Sequence, residues 1–350
     1  MLPGIGTAGQ RSLLRIFGTP LAVFQANTDA LASVVGAEHA LTITRFDNRQ
    51  AVDLSLEWAQ GPQHRLLTLG ATDYPRVLLE LADPPNLLYA KGNLKALENP
   101  CLAIVGSRNA TAGGLQNAER FSLALAESGY TIVSGLALGI DTAAHQGALT
   151  SGRQGATIAI IGTGIDRVYP ARNQPLARRI VEEGSLILSE FPLGIGVQAH
   201  HFPRRNRLIS GLSRGVLVVE AATESGSLIT ARLAGEQGRD VFAIPGSIHS
   251  PQSRGCHRLI RDGAKLVESA NDIIEEVGHS VTFSGGDHNF GEAAVTDHPV
   301  LVALGGDPVT LEELATRCDL TSDRLLAMLF ELELGGRVAA LPGGRYQRLG

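Results

Sequence analysis

Along residues 101–277 the chain alternates short, almost unbroken apolar runs with longer amphipathic stretches; the runs CLAIVG, TIVSG, ATIAIIG, SLILSE, GVLVVE, DVFAIPG and KLVES predict strands. Runs without polar alternation belong to strands covered on both faces, as in a parallel sheet flanked by helices. A doubly wound, Rossmann-like α/β core follows. Such sheets bind ligands beyond the carboxyl ends of their strands, and most strands here end in small or polar residues: Gly106, Ser134-Gly135, Gly162, Glu190, Glu220 and Pro245-Gly246. On either side of this core the pattern changes. Residues 1–65 show helical periodicity in RSLLRIF, TDALASVV and AVDLSLEWAQ, which predicts a small helical module. Asp-Tyr-Pro and Asp-Pro-Pro then break an ordered connector that opens the second unit, residues 66–278. Residues 279–297 lack periodicity and read as a linker. Helices at 299–304, 310–317 and 321–334, followed by two strands around Pro342-Gly343-Gly344, give residues 298–350 a winged-helix pattern.

Charge narrows the chemistry. The 350 residues carry a formal net charge of −5, which argues against a globally basic nucleic-acid binder and requires any such function to sit on a local positive patch. Cys101, Cys256 and Cys318 are odd in number, share no metal-ligand or redox spacing, and fit a reducing compartment. No apolar run approaches the roughly 18 residues of a membrane span. These features lead us to expect a cytoplasmic protein without a membrane segment.

The stretch AIVGSRNATAGG, residues 103–114, places a glycine turn with Arg108 between a strand and a helix. Helix-start N–H groups without internal partners suit a phosphate there, whether of a nucleotide, a sugar phosphate or a nucleic-acid backbone. Gly4, Gly6 and Gly9 match a dinucleotide fingerprint but follow no strand, so LPGIG reads as a helix-hairpin-helix turn or a plain cap. The turn Gly162-Thr163-Gly164 lacks the third glycine of a nicotinamide-dinucleotide site. No nucleophile elbow occurs and no histidine pairing suggests a triad or metal site, so we assign no catalytic residue, metal or cofactor. In HHFPRRNRLISGLSRG, residues 200–215, Arg204, Arg205, Arg207 and Arg214 give a local charge of +4, and no acid occurs from Phe191 to Val219. Phe202 among those arginines suits a single strand, whose bases stack on the ring while cations hold the phosphates. The competing reading buries Phe202 in the core. In ESGSLITA, residues 224–231, Ser225, Gly226 and Ser227 can either meet a phosphate or cap a helix.

These turns, taken in order (GSR at 106–108, SGLALGIDTAAHQGAL at 134–149, GTGIDRVYP at 162–170, FPRRNRLISGLS at 202–213, ESGSLITA at 224–231 and IPGS at 244–247), resemble the DNA-processing protein A (DprA, or Smf) family. The connector DYP…DPPNLLYAKGN resembles it too. The resemblance implies a Rossmann-like core, an N-terminal helical module and a C-terminal winged helix. It further implies single-stranded DNA binding, protection of incoming strands in natural transformation, loading of the RecA recombinase, and a homodimer. Carried onto this sequence, the DNA-contacting residues would be Gly106, Ser107, Arg108, Ser134, Gly135, Phe202, Arg205, Asn206 and Arg207; our own reading adds Arg204 and the Ser225–Ser227 turn. Several relatives have a lysine where this chain has Ala199, so that part of the DNA grip is either weaker here or supplied by Arg204 or His200. A phosphoribohydrolase on a related core is the alternative, but its P-G-G-x-G-T turn is replaced here by ESGSLIT. In the tail, seven acids (Asp307, Glu312, Glu313, Asp319, Asp323, Glu331 and Glu333) face five arginines, a net −2 that favours a protein-contacting or structural role over groove reading.

Overall fold

The structure, a computed structural model, describes residues 4–278, 298–305, 308–318 and 320–349. The expected linker at 279–297, together with Asp307 and Asp319, lies outside the described residues. The chain divides into two compact units after Leu88.

The first unit contains α1 (Thr7–Phe17), α2 (Pro20–Gln25), α3 (Thr28–Val35), α4 (Ala37–Arg45) and α5 (Arg49–Ala59), then strand β1 (His64–Thr68). Ile5, Leu13, Val23, Leu31, Ala40 and Ile43 form its small core. Helix starts are set locally: Thr19 accepts from the Ala22 N–H at 3.1 Å and Asn27 from the Ala30 N–H at 2.8 Å. Periodicity did not reveal α2, because six residues are too few turns to display one; Thr19 followed by Pro20 was its legible start signal. Gly4 and Gly6 belong to a turn into α1, and Gly9 lies within the helix. Gly6 caps that helix without a side-chain bond.

The second unit is the predicted parallel α/β sheet. After β2 (Leu87–Gly92) come β3 (Cys101–Val105), α6 (Ala112–Glu127), β4 (Thr131–Ser134), α7 (Ile140–Thr150), β5 (Thr157–Gly164), α8 (Gln174–Glu182) and β6 (Leu186–Phe191). Then follow α9 (His201–Leu212), β7 (Gly215–Val218), α10 (Ser227–Glu236), β8 (Asp240–Ala243), α11 (Arg254–Arg261), β9 (Lys265–Leu266) and α12 (Ala270–Val277). Within this unit the strand order is β2-β6-β5-β4-β3-β7-β8-β9. All of these pairings are parallel except β2 with β6. Strand β2 lies within the expected connector, where Asp83-Pro84-Pro85 masks the strand that follows. From β3 the chain winds outward through β4, β5 and β6, then crosses back to continue through β7, β8 and β9, so the topological switch lies between β3 and β7. Helices α6, α7 and α12 bury one sheet face in a shared core with Leu102, Ile104, Ile132, Leu217 and Phe242. Against β5 and β7, on the other face, pack α9 and α10.

Small residues let these layers approach closely. A Cβ on Gly147 of α7 would overlap the Glu119 backbone carbonyl of α6. Burial holds the Cys101 and Cys256 thiols protonated, each pushed up to about 12, which makes them unreactive packing groups.

The tail, which also belongs to this unit, contains α13 (Pro299–Leu304), β10 (Val309–Thr310), α14 (Leu311–Cys318), α15 (Ser322–Leu334), β11 (Val338–Leu341) and β12 (Arg345–Arg348), with strand order β10-β12-β11. Val300, Leu301, Leu314, Leu325, Leu329 and Val338 form its core. This is the expected winged helix.

Gly147→Ala should cost about 1–3 kcal/mol, because the added methyl forces α6 and α7 apart in a close-packed interior. Urea denaturation followed by circular dichroism measures it; an unchanged midpoint would mean that the two helices separate freely.

Candidate functional site

At the switch between β3 and β7 the two loops diverge and open a cleft of about 550 Å³, lined by Gly106, Ser107, Arg108, Asn109, Asp141, Phe202, Arg205, Asn206, Ser225, Gly226 and Ser227 among others. That position is where doubly wound sheets bind their ligands. One wall is the turn after β3. Ser107 is pinned through its backbone: its N–H donates to the Glu220 carbonyl at 2.7 Å, and its own carbonyl accepts from the Ile140 N–H at 3.1 Å. Gly139, at φ +75°, fits beneath this turn, where a Cβ would strike the Ser107 carbonyl. Arg108 follows at the exposed lip.

The opposite wall is the first turns of α9. Phe202 is half-buried there, so neither of the two readings of its ring holds in full. The ring meets the Arg108 guanidinium at 5.3 Å and the Arg205 guanidinium at 5.9 Å from its centroid. Tyr169, 45% exposed, lies 6.1 Å from it. The sequence reading passed over this second aromatic; the glycine turn closing β5 and running into Val168-Tyr169-Pro170 was the available signal. The third wall is the start of α10, where the Ser225 and Ser227 hydroxyls pair at 2.7 Å and Ser225 accepts from the Ser227 N–H at 3.4 Å. Thus the serines organise their own turn while lining the cleft.

Several expected contacts are corrected by burial. The arginines of 200–215 are not unopposed. Glu190, at the end of β6, receives Arg207 at 2.6 Å and the Nε and Nη2 of Arg204 at 3.1 Å each. Arg207 is only 6% exposed and, like Arg204, does not line the cleft. Because Arg204 is engaged by Glu190, it is not a free substitute for the lysine that Ala199 lacks. Arg214 immediately precedes β7 and therefore sits at the opposite, amino-terminal end of the strands, with Nη1 donating to the Val277 carbonyl at 3.4 Å. Arg205 is 4% exposed and lies in the cleft floor, where Nη1 donates to the Ile160 carbonyl at 2.8 Å. Ser134 is fully buried and donates to the Ile104 carbonyl at 2.7 Å. Gly135 is also buried; any Cβ there would collide with Arg205 Nη1, so this glycine is the slot through which Arg205 passes.

The floor sets a buried carboxylate beside a buried cation. Asp141 accepts the Gly135 and Ala137 N–H groups at 3.1 and 3.3 Å, and burial raises its pKa against the pull of Arg205. Burial lowers the pKa of Arg205 to about 10; Asp141 opposes the shift and the Arg108 cation adds to it. An anion seated between Arg108 and Arg205 would relieve that repulsion. Among the described residues no group of three or more histidine, cysteine or acidic side chains is disposed to hold a metal ion, and no helix is long and apolar enough to cross a membrane.

Residues 65–278, the whole sheet and its cleft, match the family DNA recombination-mediator protein A, and residues 292–344 match the DprA winged helix domain. The chain belongs to the DprA/Smf family. It is similar to Protein Smf of Escherichia coli (strain K12), 43% identical over 308 residues that cover 86% of this chain and 82% of that protein. Among solved structures it is similar to DNA processing protein A of Streptococcus pneumoniae, with 40% identity, a TM-score of 0.68 and coverage of 78% of this chain and 94% of that one. It is also similar to DNA processing protein A of Helicobacter pylori, solved for its single-stranded DNA binding mode, with 32% identity, a TM-score of 0.54 and coverage of 61% and 95%. The DprA core thus places the GSR turn, Phe202 and the α10 turn around one cleft, while Ser134, Gly135 and Arg207 support it from beneath.

This division of labour predicts distinct stabilities. Glu190→Ala, which takes the carboxylate away from the buried Arg207 guanidinium, should cost about 3–5 kcal/mol, and Arg207→Ala should cost less, because Arg204 still meets the Glu190 carboxylate. Arg108→Ala at the exposed lip should stay within about 0.5 kcal/mol of the parent. Denaturant titration of the three variants decides the matter, and a neutral Glu190→Ala would remove the pair from its structural role.

Proposed function

We propose that the cleft binds single-stranded DNA, with a backbone phosphate beside Arg108 and a base on the face formed by Phe202 and Tyr169, and that it breaks no bond in the strand. The observation that carries this reading is Arg108. Among the described residues its exposed guanidinium has no acidic or carbonyl partner, and it lies over an aromatic ring at the mouth of a cleft whose floor holds a second cation. A free cation beside a sequence-tolerant stacking surface is the chemistry of single-strand binding. The single-strand binding attributed to the Helicobacter pylori relative supports it.

On the same reading the protein acts as a homodimeric, cytoplasmic recombination mediator that protects incoming strands in natural transformation and delivers them to RecA. A hydrolytic role has less support, because two carboxylates near the turn are committed: the buried Asp141 to two backbone N–H groups, and the half-buried Glu220 to the N–H and hydroxyl of Thr111 at 2.9 and 2.6 Å.

Fluorescence anisotropy with matched single- and double-stranded oligonucleotides tests the proposal. Single strands should bind more tightly, with little dependence on sequence. Arg108→Ala should weaken binding and lower the log–log salt slope by about 0.7, the value for one phosphate contact on a single strand. Phe202→Ala should lose about 1–3 kcal/mol of affinity with the slope unchanged, because stacking releases no counterions. Equal or tighter duplex binding would refute the assignment. Arg205→Ala is not a diagnostic variant, since its burial ties binding to folding.

A further inference from the structure

In a winged-helix domain the last helix before the wing is the one that ordinarily enters a DNA groove, and here that helix is α15. Leu325, Leu329 and Leu332 fix it to the core of its own domain. Its outward side is mostly apolar and acidic. Leu326, Phe330 and Leu334 recur at i, i+4 and i+8 and are 41, 61 and 74% exposed, which makes a continuous apolar stripe roughly 12 Å long. Asp323, Glu331 and Glu333 are exposed beside it, and Arg324 is the helix's one basic residue.

Three occupants suit an exposed apolar stripe in principle, and charge separates them. A phosphate backbone would meet three carboxylates and one guanidinium, a net repulsion. A second copy of α15 would juxtapose two faces of net charge −2. A helix with apolar residues on one side and lysine or arginine along its borders would bury the stripe while pairing with the acids. We propose that the outer face of α15 is a docking surface for a basic amphipathic helix of a partner protein, in the helix-on-helix mode set by i, i+4 and i+8 anchors. The proposal is independent of the cleft: it requires neither DNA nor any residue of the sheet.

The test uses the full chain and a fluorescently labelled 18-residue peptide, capped at both ends, with leucines at i, i+3, i+4 and i+7 and arginine or lysine at the remaining positions; a companion peptide carries glutamate in place of the basic residues. The basic peptide should bind the parent protein in the micromolar range, more weakly as salt rises, and the acidic peptide should not bind. Phe330→Ser should weaken the basic peptide at least tenfold. The double variant Glu331→Lys/Glu333→Lys should weaken it to a similar extent and admit the acidic peptide. Both changes are at exposed positions, and unchanged thermal melting confirms that the domain remains folded. The proposal is overturned if Phe330→Ser binds the basic peptide as tightly as the parent does. It fails equally if sedimentation shows that Phe330→Ser abolishes self-association, which assigns the face to a second copy, or if the same substitution reduces duplex DNA binding, which assigns it to nucleic acid. Retention of single-strand binding in Phe330→Ser keeps this result separate from that of the cleft.

Discussion

One carboxylate, Glu190, governs where α9 lies. The helix turns arginines toward the sheet, and a buried guanidinium is strongly destabilising unless a charge and hydrogen bonds meet it. Glu190 stands at the end of β6 and meets two of them, Arg204 and Arg207, which lie three residues apart on one side of the helix. With that side fixed, rotation about the helix axis is no longer free. Phe202 and Asn206, four residues apart, must face the cleft, and Arg205 between the two sides must thread past Gly135. The stacking surface therefore inherits its position from an ion pair that does not line the cleft.

The same arrangement shows how an acidic protein presents a positive site. Most of the arginine charge in residues 200–215 is spent on internal pairing or lies at the opposite end of the strands. What reaches the cleft is one buried cation and one exposed one. Arg205 is buried, and its environment already disfavours its charge. Arg108 is exposed, and its nearest described aromatic neighbour is Phe202. Asp141 and Glu224 line the same cleft, and Asp141 acts on Arg205 in the floor, so the cation left to meet an anion is Arg108 at the lip.

Much of this was legible beforehand, for identifiable reasons. Strands β3 to β7 declared themselves because burial on both faces leaves no room for polar alternation, as in Ile158 to Ile161. The wing was equally visible, since Pro342-Gly343-Gly344 leaves the chain little but a turn. The GSR turn and Phe202 were recognised as site residues, and both line the cleft. Pairing across space was what local pattern could not supply. Glu190 precedes the acid-free window by one residue and reaches its partners 14 and 17 residues later, across a loop and onto a helix. Ser134 looked like a strand-end ligand, yet its hydroxyl turns back into the sheet, a direction that no linear motif records. Tyr169 meets Phe202 only because the ends of β5 and β6 converge.

The cleft is framed largely by backbone, with glycines at the points where walls press together: Gly139 under the GSR turn, Gly135 beside Arg205, and Gly106 against Ile140 and the Glu220 carbonyl. Such a frame separates two kinds of heritable change. At the glycines almost any replacement damages the scaffold, so those positions are locked even though no side chain of theirs can touch a ligand. At Arg108 and Tyr169 the side chains extend into solvent and can be exchanged with little disturbance beneath them. Drift within such lineages can accordingly retune grip on a strand by altering the lip alone, leaving the recess it surrounds as an inherited constant.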